Sequence, residues 1–413
     1  MNQPPLPSTW TTLRALPPPT LRLLLAMGLA RVASFMIWPF IAVSMNTRFG
    51  TPITEIGAQV ALGATISIAL SPVSGLLGDR FDARNLMLTG CALCMCGYGL
   101  MGLWPAQSSY FVAIIIFALA QSILEPLLRM LLSDTLASDN QRTFVFHIRY
   151  YVVNCAAALG PLIGLWFANR ANDGVFAIAV AANALLAWAI FKAASGRHGH
   201  AAKPASAPLL KVWRAVLGSR LLLAIILMNF FLVLLYAQLD EPLTFYLLQL
   251  KAPDINHLIA MMSVTNAAVV LVAHLWLMPR LIAMADKTAY LMALACMLVA
   301  HGLIAANTQA WWVGWIVAVM FATLAEIVVM PLFGTLIDRL APPGMRGSFI
   351  GISMLAGMGS ALAPWLGALA ITHFGGLLWF ALLALSCVPI GLVGYRVLRG
   401  SQPDGLAAPS TTA

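Results

Sequence analysis

Twelve uninterrupted apolar stretches of about 20 residues each recur along this 413-residue chain, from Leu21 to Val397. A helix needs about 20 apolar residues to cross roughly 30 Å of hydrocarbon, and in lipid every backbone polar group must be satisfied within the chain. The stretches lie at residues 21–45, 55–77, 86–106, 109–132, 143–168, 174–195, 219–247, 256–278, 288–307, 310–335, 347–371 and 375–397. Membrane barrel strands would be about 10 residues long and alternate in polarity; these runs are continuous and too long. The expected fold is therefore an all-α membrane protein with twelve transmembrane helices. Composition agrees, since 61% of residues are hydrophobic and only 9% charged, against about 25% charged in a soluble globular chain.

The net charge of +9 is explained by position. With the amino terminus inside, Arg48, Arg170 and Lys251 fall outside, and Arg31, Arg129 and Arg149 fall within spans. The other Lys and Arg lie in cytoplasmic segments, among them Arg80, Arg84, Arg142, Lys203, Lys211, Arg214, Arg280, Arg339, Arg346 and Arg399. Cytoplasmic segments carry the excess of Lys and Arg, so both termini are expected in the cytoplasm. The basic charge is a topology signal, and no nucleic-acid partner is expected. The start, "MNQPPLPSTWTTLRALPPPT", lacks the charged region and cleavage site of a signal peptide, so the first span is expected to be retained.

Cys91, Cys94, Cys96, Cys155, Cys296 and Cys387 all fall within spans. "CALCMC" has Cys91 and Cys94 on one helix face and Cys96 on another, with no His or carboxylate beside them. They are expected to pack as small buried hydrophobes. No disulfide framework, metal or cofactor follows.

The longest polar stretch, "ASGRHGHAAKPASAPLLKVWRAVLGSR", separates six spans from six. The expected organisation is a cytoplasmic segment (1–20), a first six-helix half (21–195), a cytoplasmic linker (196–218), a second half (219–397) and a disordered tail (398–413). The end of the linker, Leu209 to Leu217, is amphipathic enough for a membrane surface. The halves echo each other: "SDTLASDNQR" (133–142) resembles "IDRLAPPGMR" (337–346), and "GPLIG" (160–164) resembles "APWLG" (363–367). Parallel six-helix repeats about a central site are an arrangement of secondary transporters.

"GLLGDRFDARN", residues 75–85, joins the second and third spans. It resembles the signature loop of the major facilitator superfamily, with Gly75, Leu77, Gly78, Asp79, Arg80 and Arg84 matching. Asp82 stands where a second Gly is usual and Ala83 where a basic residue is usual. The resemblance implies a polar latch, with Gly75 permitting close helix approach and Asp79 pairing with a cation or a helix amino terminus. "NCAAALGPLIG" (154–164) in the fifth span resembles the helix motif of the exporting, antiporter branch. Gly160, Pro161 and Gly164 match, Ala156 replaces a Gly, and Asn154 begins the segment. Pro bends a helix and small residues allow close packing. "LARVASFMIWPF" (29–40), "TNAAVVLVAH" (265–274) and "AEIVVMPLFGTLIDRLAPPGMRGS" (325–348) look like segments of bacterial drug and dipeptide exporters of this superfamily. The resemblance implies a bacterial inner-membrane location and a functional monomer.

An ionisable residue inside a membrane helix is a functional hypothesis by default. Arg31 lies in the first span, Glu125 before Pro126 and Arg129 in the fourth, Asp240 and Glu241 before Pro242 in the seventh, and Glu326 in the tenth. The resemblance implies that these four spans line the central cavity. A carboxyl that gains and loses an Arg partner can load and release a proton, whereas Arg stays protonated. Glu125 and Glu326 are the expected proton carriers, with Asp240 and Glu241 next. The alternative for Glu125 is a permanent ion pair with Arg129, spaced i,i+4. Arg31 is the expected counter-charge or substrate-carboxylate anchor, Arg129 a member of the same network and Asn266 a polar cavity contact. Phe35, Trp38 and Tyr236 are candidate apolar walls, and His274 and His301 are expected to pack or to make a single hydrogen bond.

No phosphate-binding Gly-x-x-x-x-Gly-Lys-Ser/Thr loop occurs, so ATP is not the expected driving force. The expectation is a non-enzymatic secondary exporter of a drug-like, peptide or siderophore-type molecule, driven by proton antiport. A proton-coupled importer and a dedicated siderophore or metabolite exporter are the alternatives.

Overall fold

A computed structural model of the chain describes residues 16–136, 138–170, 173–194, 218–282, 284–309, 311–340 and 354–400. No strand occurs among them. Twelve helical stretches are long and apolar enough to cross a membrane, and each coincides with one expected span. The first span is two helices, α1 (Pro18–Phe35) and α2 (Trp38–Phe49). It is followed by α3 (Ile53–Arg80), α4 (Ala83–Leu103), α5 (Gln107–Asp134), α6 (Asp139–Ala168) and α7 (Gly174–Ala194). The seventh span is likewise divided, into α8 (Arg220–Ala237) and α9 (Glu241–Gln249). Then come α10 (Ile255–Ile282), α11 (Asp286–Ala306), α12 (Trp312–Leu340), a 3₁₀ turn (Met354–Gly357), α13 (Met358–Phe374) and α14 (Gly376–Gly400).

Two compact units form: residues 1–202 with 254–267, and 203–253 with 268–413. In the first, α4 packs on α5 and α7, α3 on α5, and α1 on α6 and α7. In the second, α11 packs on α12 and α14, and α8 on α13. The pairs α4–α5, α4–α7 and α1–α6 thus recur as α11–α12, α11–α14 and α8–α13, the packing counterpart of the repeat. Residues 254–267, at the start of α10, belong to the first unit rather than to the half expected from the spans. There Asn256 Nδ2 donates to Asn169 Oδ1 at 3.2 Å. Most of the linker and the terminal segments lie outside the described residues.

The divisions of the first and seventh spans were not anticipated from their continuous apolarity. Pro39 and Pro242 each stand in the first turn after the break, where a missing N–H costs least. Neither can donate to the carbonyl four residues earlier, which frees one bond of the ladder. At the first break the chain tightens, with Ile37 N donating to Ser34 O at 3.0 Å. Two residues separate α1 from α2 and three separate α8 from α9.

The residues 75–80 are not a loop, as expected, but the last turns of α3, which runs through Arg80. Only Phe81 and Asp82 connect it to α4. Asp82 has extended backbone geometry and its side chain accepts from Arg84 N at 3.0 Å. The carboxylate at the place of a usual Gly therefore caps α4, satisfying an amide that the helix leaves open. The side chains of residues 75–80 lie outside the described residues, and the latch expected of Asp79 with them.

Of the six cysteines, Cys91, Cys94 and Cys387 are buried, Cys296 is half-buried, and Cys96 and Cys155 are exposed; all are free. Cys91 and Cys94 share a buried face, as their spacing implies. Among the described residues no group of His, Cys, Asp and Glu is arranged to hold a metal ion.

Candidate functional site

In the first unit, Glu125 is the hub of four charges. It stands on α5 directly before Pro126, one helical turn from Arg129, so the pair faces one side of the helix. Arg129 donates to Glu125 Oε1 through Nε at 3.0 Å and Nη2 at 2.7 Å. Arg149 Nη2 from α6 donates to the same oxygen, and Arg31 Nη2 from α1 donates to Oε2. The side chain of Arg149 is 15% exposed, Glu125 28%, Arg31 30% and Arg129 51%. Glu125 lies nine residues before the end of α5 and Arg149 ten residues after the start of α6, about 14–15 Å of helix in each case. Residues 135–138 join those ends, so the cluster sits at one depth, well inside the spans.

Arg31, Glu125 and Arg129 were expected to form a network, and they do. Arg149 was not among the expected site residues. Its signal was present in the sequence, a charge six residues inside the fifth apolar span, yet nothing local connects position 149 to position 125. A cavity of about 40 Å³ opens beside Arg31, lined by Ser34, Tyr98, Gln121 and Asn183 among others.

The second unit carries Asp240, Glu241 and Glu326 within its spans. Tyr236, in the last turn of α8, donates its hydroxyl to Glu326 Oε2 on α12 at 2.6 Å. Tyr236 is thus a polar partner rather than the apolar wall expected of it. Asp240 occupies the break between α8 and α9 and Glu241 opens α9. Glu241 and Glu326 both lie within electrostatic reach of Asp240. The break in the seventh span therefore gathers all three expected acids of the second half.

His301 is buried, with Nδ1 2.8 Å from Met297 O and Nε2 3.2 Å from Leu235 O. It bridges α11 to α8 with two contacts where one was expected. His274 lies on α10, with its side chain outside the described residues. Asn266 is half-buried on α10. Trp38 meets Phe117 edge-on at 5.5 Å.

The motif in the fifth span packs on the break of the first. Gly160 and Gly164 are both buried. A Cβ on Gly160 would lie 2.8 Å from Val32 O, and one on Gly164 would overlap Met36 O. Asn154 is spent locally, donating Nδ2 to Tyr150 O at 2.9 Å. The second unit repeats the arrangement: a Cβ on Gly359 would meet Leu234 N at 2.9 Å, and one on Gly367 would meet Gln238 Oε1 at 2.8 Å. In both units, small residues of one helix seat the other at its point of division.

Residues 23–358 match the family described as Major Facilitator Superfamily. The chain is 25% identical to an MFS-type transporter, YqjV, of Bacillus subtilis (strain 168), over 84% of each chain. It is 24% identical to a Na(+), Li(+), K(+)/H(+) antiporter of Planococcus maritimus, over 87% of this chain and 91% of that one. The fold is shared with a crystal structure of a POT family transporter in complex with 5-aminolevulinic acid. There the TM-score is 0.78 at 14% identity, over 92% of this chain and 96% of that one.

Proposed function

The chain belongs to the major facilitator superfamily, and from that premise we propose that it exports a small molecule across the bacterial inner membrane by proton antiport. Membership makes it a multi-pass membrane transporter and not an enzyme. Export, proton coupling and cytoplasmic termini belong to this proposal, in which alternating access carries a drug-like, peptide or siderophore-type molecule outward as protons enter.

The observation that carries the proton reading is the bond from Tyr236 to Glu326. A phenol can donate to a carboxylate and accept from a carboxylic acid, so this partner serves Glu326 in either protonation state. Asp240 and Glu241 stand next to it at the division of the seventh span, where a change of helix angle alters their surroundings. Glu125 has three guanidinium partners, which suits the permanent ion-pair alternative better than proton exchange. Glu326 is therefore the principal carrier in this reading, with Asp240 and Glu241 as its relay. The similarity to a cation/proton antiporter over most of the chain supports antiport. Asp79 remains the proposed latch on the cytoplasmic side.

Everted vesicles containing the protein test this. Adding a transported molecule should release protons from an acid lumen, and collapsing the pH gradient should stop its uptake. Uptake indifferent to both pH gradient and membrane potential would exclude proton coupling.

A further inference from the structure

Three guanidiniums meet one carboxylate in the first unit, which leaves two positive charges in excess within the spans. No other carboxylate of the described residues pairs with Arg31, Arg129 or Arg149. An unbalanced charge at that depth is costly, and a helix bundle gains nothing in stability from placing three cations around one acid. Arg149 also keeps its Nε–H buried without a hydrogen-bond partner, while Arg129 leaves half its side chain open. The cluster is therefore short of acceptors as well as of negative charge.

We propose that the transported molecule carries an oxyanion, a carboxylate or phosphonate group, and that Arg149 and Arg129 receive it beside Glu125. Planar guanidinium forks match such groups with two parallel hydrogen bonds. Arg149 supplies the unused Nε–H and Arg129 the open approach, with Arg31 and Glu125 holding the forks in place. A lipid headgroup is a poor source of the anion, because the cluster lies six to seven residues, about 10 Å, inside the fourth and fifth spans. The excess charge repels cationic molecules, and a neutral carbonyl can accept from the Nε–H but offsets none of that charge. Cargo and protons are then handled by different units, arginines in one and carboxylates in the other. The inference rests on the transporter reading above and narrows its substrate class.

The test uses the purified full chain in phosphatidylcholine nanodiscs, which exclude anionic headgroups. The probes are N-acetyl-phenylalanine, 2,3-dihydroxybenzoate and benzylphosphonate, each beside its amide or methyl ester. Thermal stabilisation reads binding, and proton-driven uptake into proteoliposomes reads transport. At least one acid should stabilise the protein at a concentration roughly tenfold or more below its uncharged counterpart. Arg149→Gln should raise that concentration roughly tenfold, and Arg149→Lys, which keeps the charge but not the fork, should fall between. The proposal is overturned if no acid stabilises the wild type, if the counterparts bind as well as the acids, or if Arg149→Gln responds like the wild type. Acids that bind without proton-driven uptake would leave the anion site standing and remove the export reading. Uncharged counterparts that are driven as well as the acids would do the reverse.

Discussion

Gly164 lies against the carbonyl oxygen of Met36, at the point where the first span divides. The neighbour is backbone, which cannot swing aside as a side chain can, so the contact demands a residue without Cβ. Gly367 holds the matching place beside Gln238 at the division of the seventh span. Two helices that look continuous in hydropathy are each divided where a glycine of another helix reaches them.

Gly164→Ala should therefore destabilise the protein by about 1–3 kcal/mol through overpacking. Gly99, which has nothing within 4 Å of an added Cβ, is the matched control on α4. Gly99→Ala should be neutral or stabilising by up to about 1 kcal/mol, since Ala is the better helix former. Thermal unfolding of the two purified variants checks the difference; equal melting temperatures would contradict the close approach.

Glu125→Gln and Glu326→Gln should fail in different ways. Removing the Glu125 charge strands three guanidiniums, and breaking such a pair costs about 3–5 kcal/mol when buried. Exposure of about a quarter of the side chain places the expected loss toward the low end, visible as reduced membrane abundance and a lower melting temperature. Glu326→Gln should insert normally and lose gradient-driven transport while keeping exchange of substrate down its own gradient. Tyr236→Phe should weaken proton coupling with a stability cost near 1 kcal/mol, the usual value of one hydrogen bond. Coupled transport at wild-type rates in Glu326→Gln would move the carrier to Asp240 or Glu241.

Asp82→Ala should cost about 1 kcal/mol, because it removes the cap that accepts from Arg84 N. Asp82→Ser should restore most of it. Asp79→Asn, three residues earlier, should instead slow transport at unchanged abundance. Melting temperatures and transport rates of the three variants separate the cap from the latch.

Arg48 and Asp173 form a bidentate pair at 2.7 and 2.9 Å, with each side chain about one-third exposed. Ion pairs this open are worth at most about 1 kcal/mol, so Asp173→Asn should change stability little. The effect should shrink further in high salt, measured by melting temperature at two ionic strengths.

The sequence by itself determined the number of spans, their approximate limits, the charge asymmetry and the repetition of one six-helix design. These are local or additive properties: about 20 apolar residues specify a crossing whatever they pack against, and Glu125 reaches Arg129 within a single helix. The capping role of Asp82 was legible in principle too, from an acid four residues before the third apolar run. Only the tertiary structure decided that Arg31 and Arg149 close on Glu125 from 94 and 24 residues away. The same holds for Tyr236 and Glu326, 90 residues apart. Such meetings depend on the rotation and depth of each helix, which packing sets and hydropathy does not record. The breaks at Met36–Ile37 and Gln238–Asp240 belong to the same class. Pro39 and Pro242 weaken the ladder there, but Gly164 and Gly367, brought close only by the fold, lie where the helices divide.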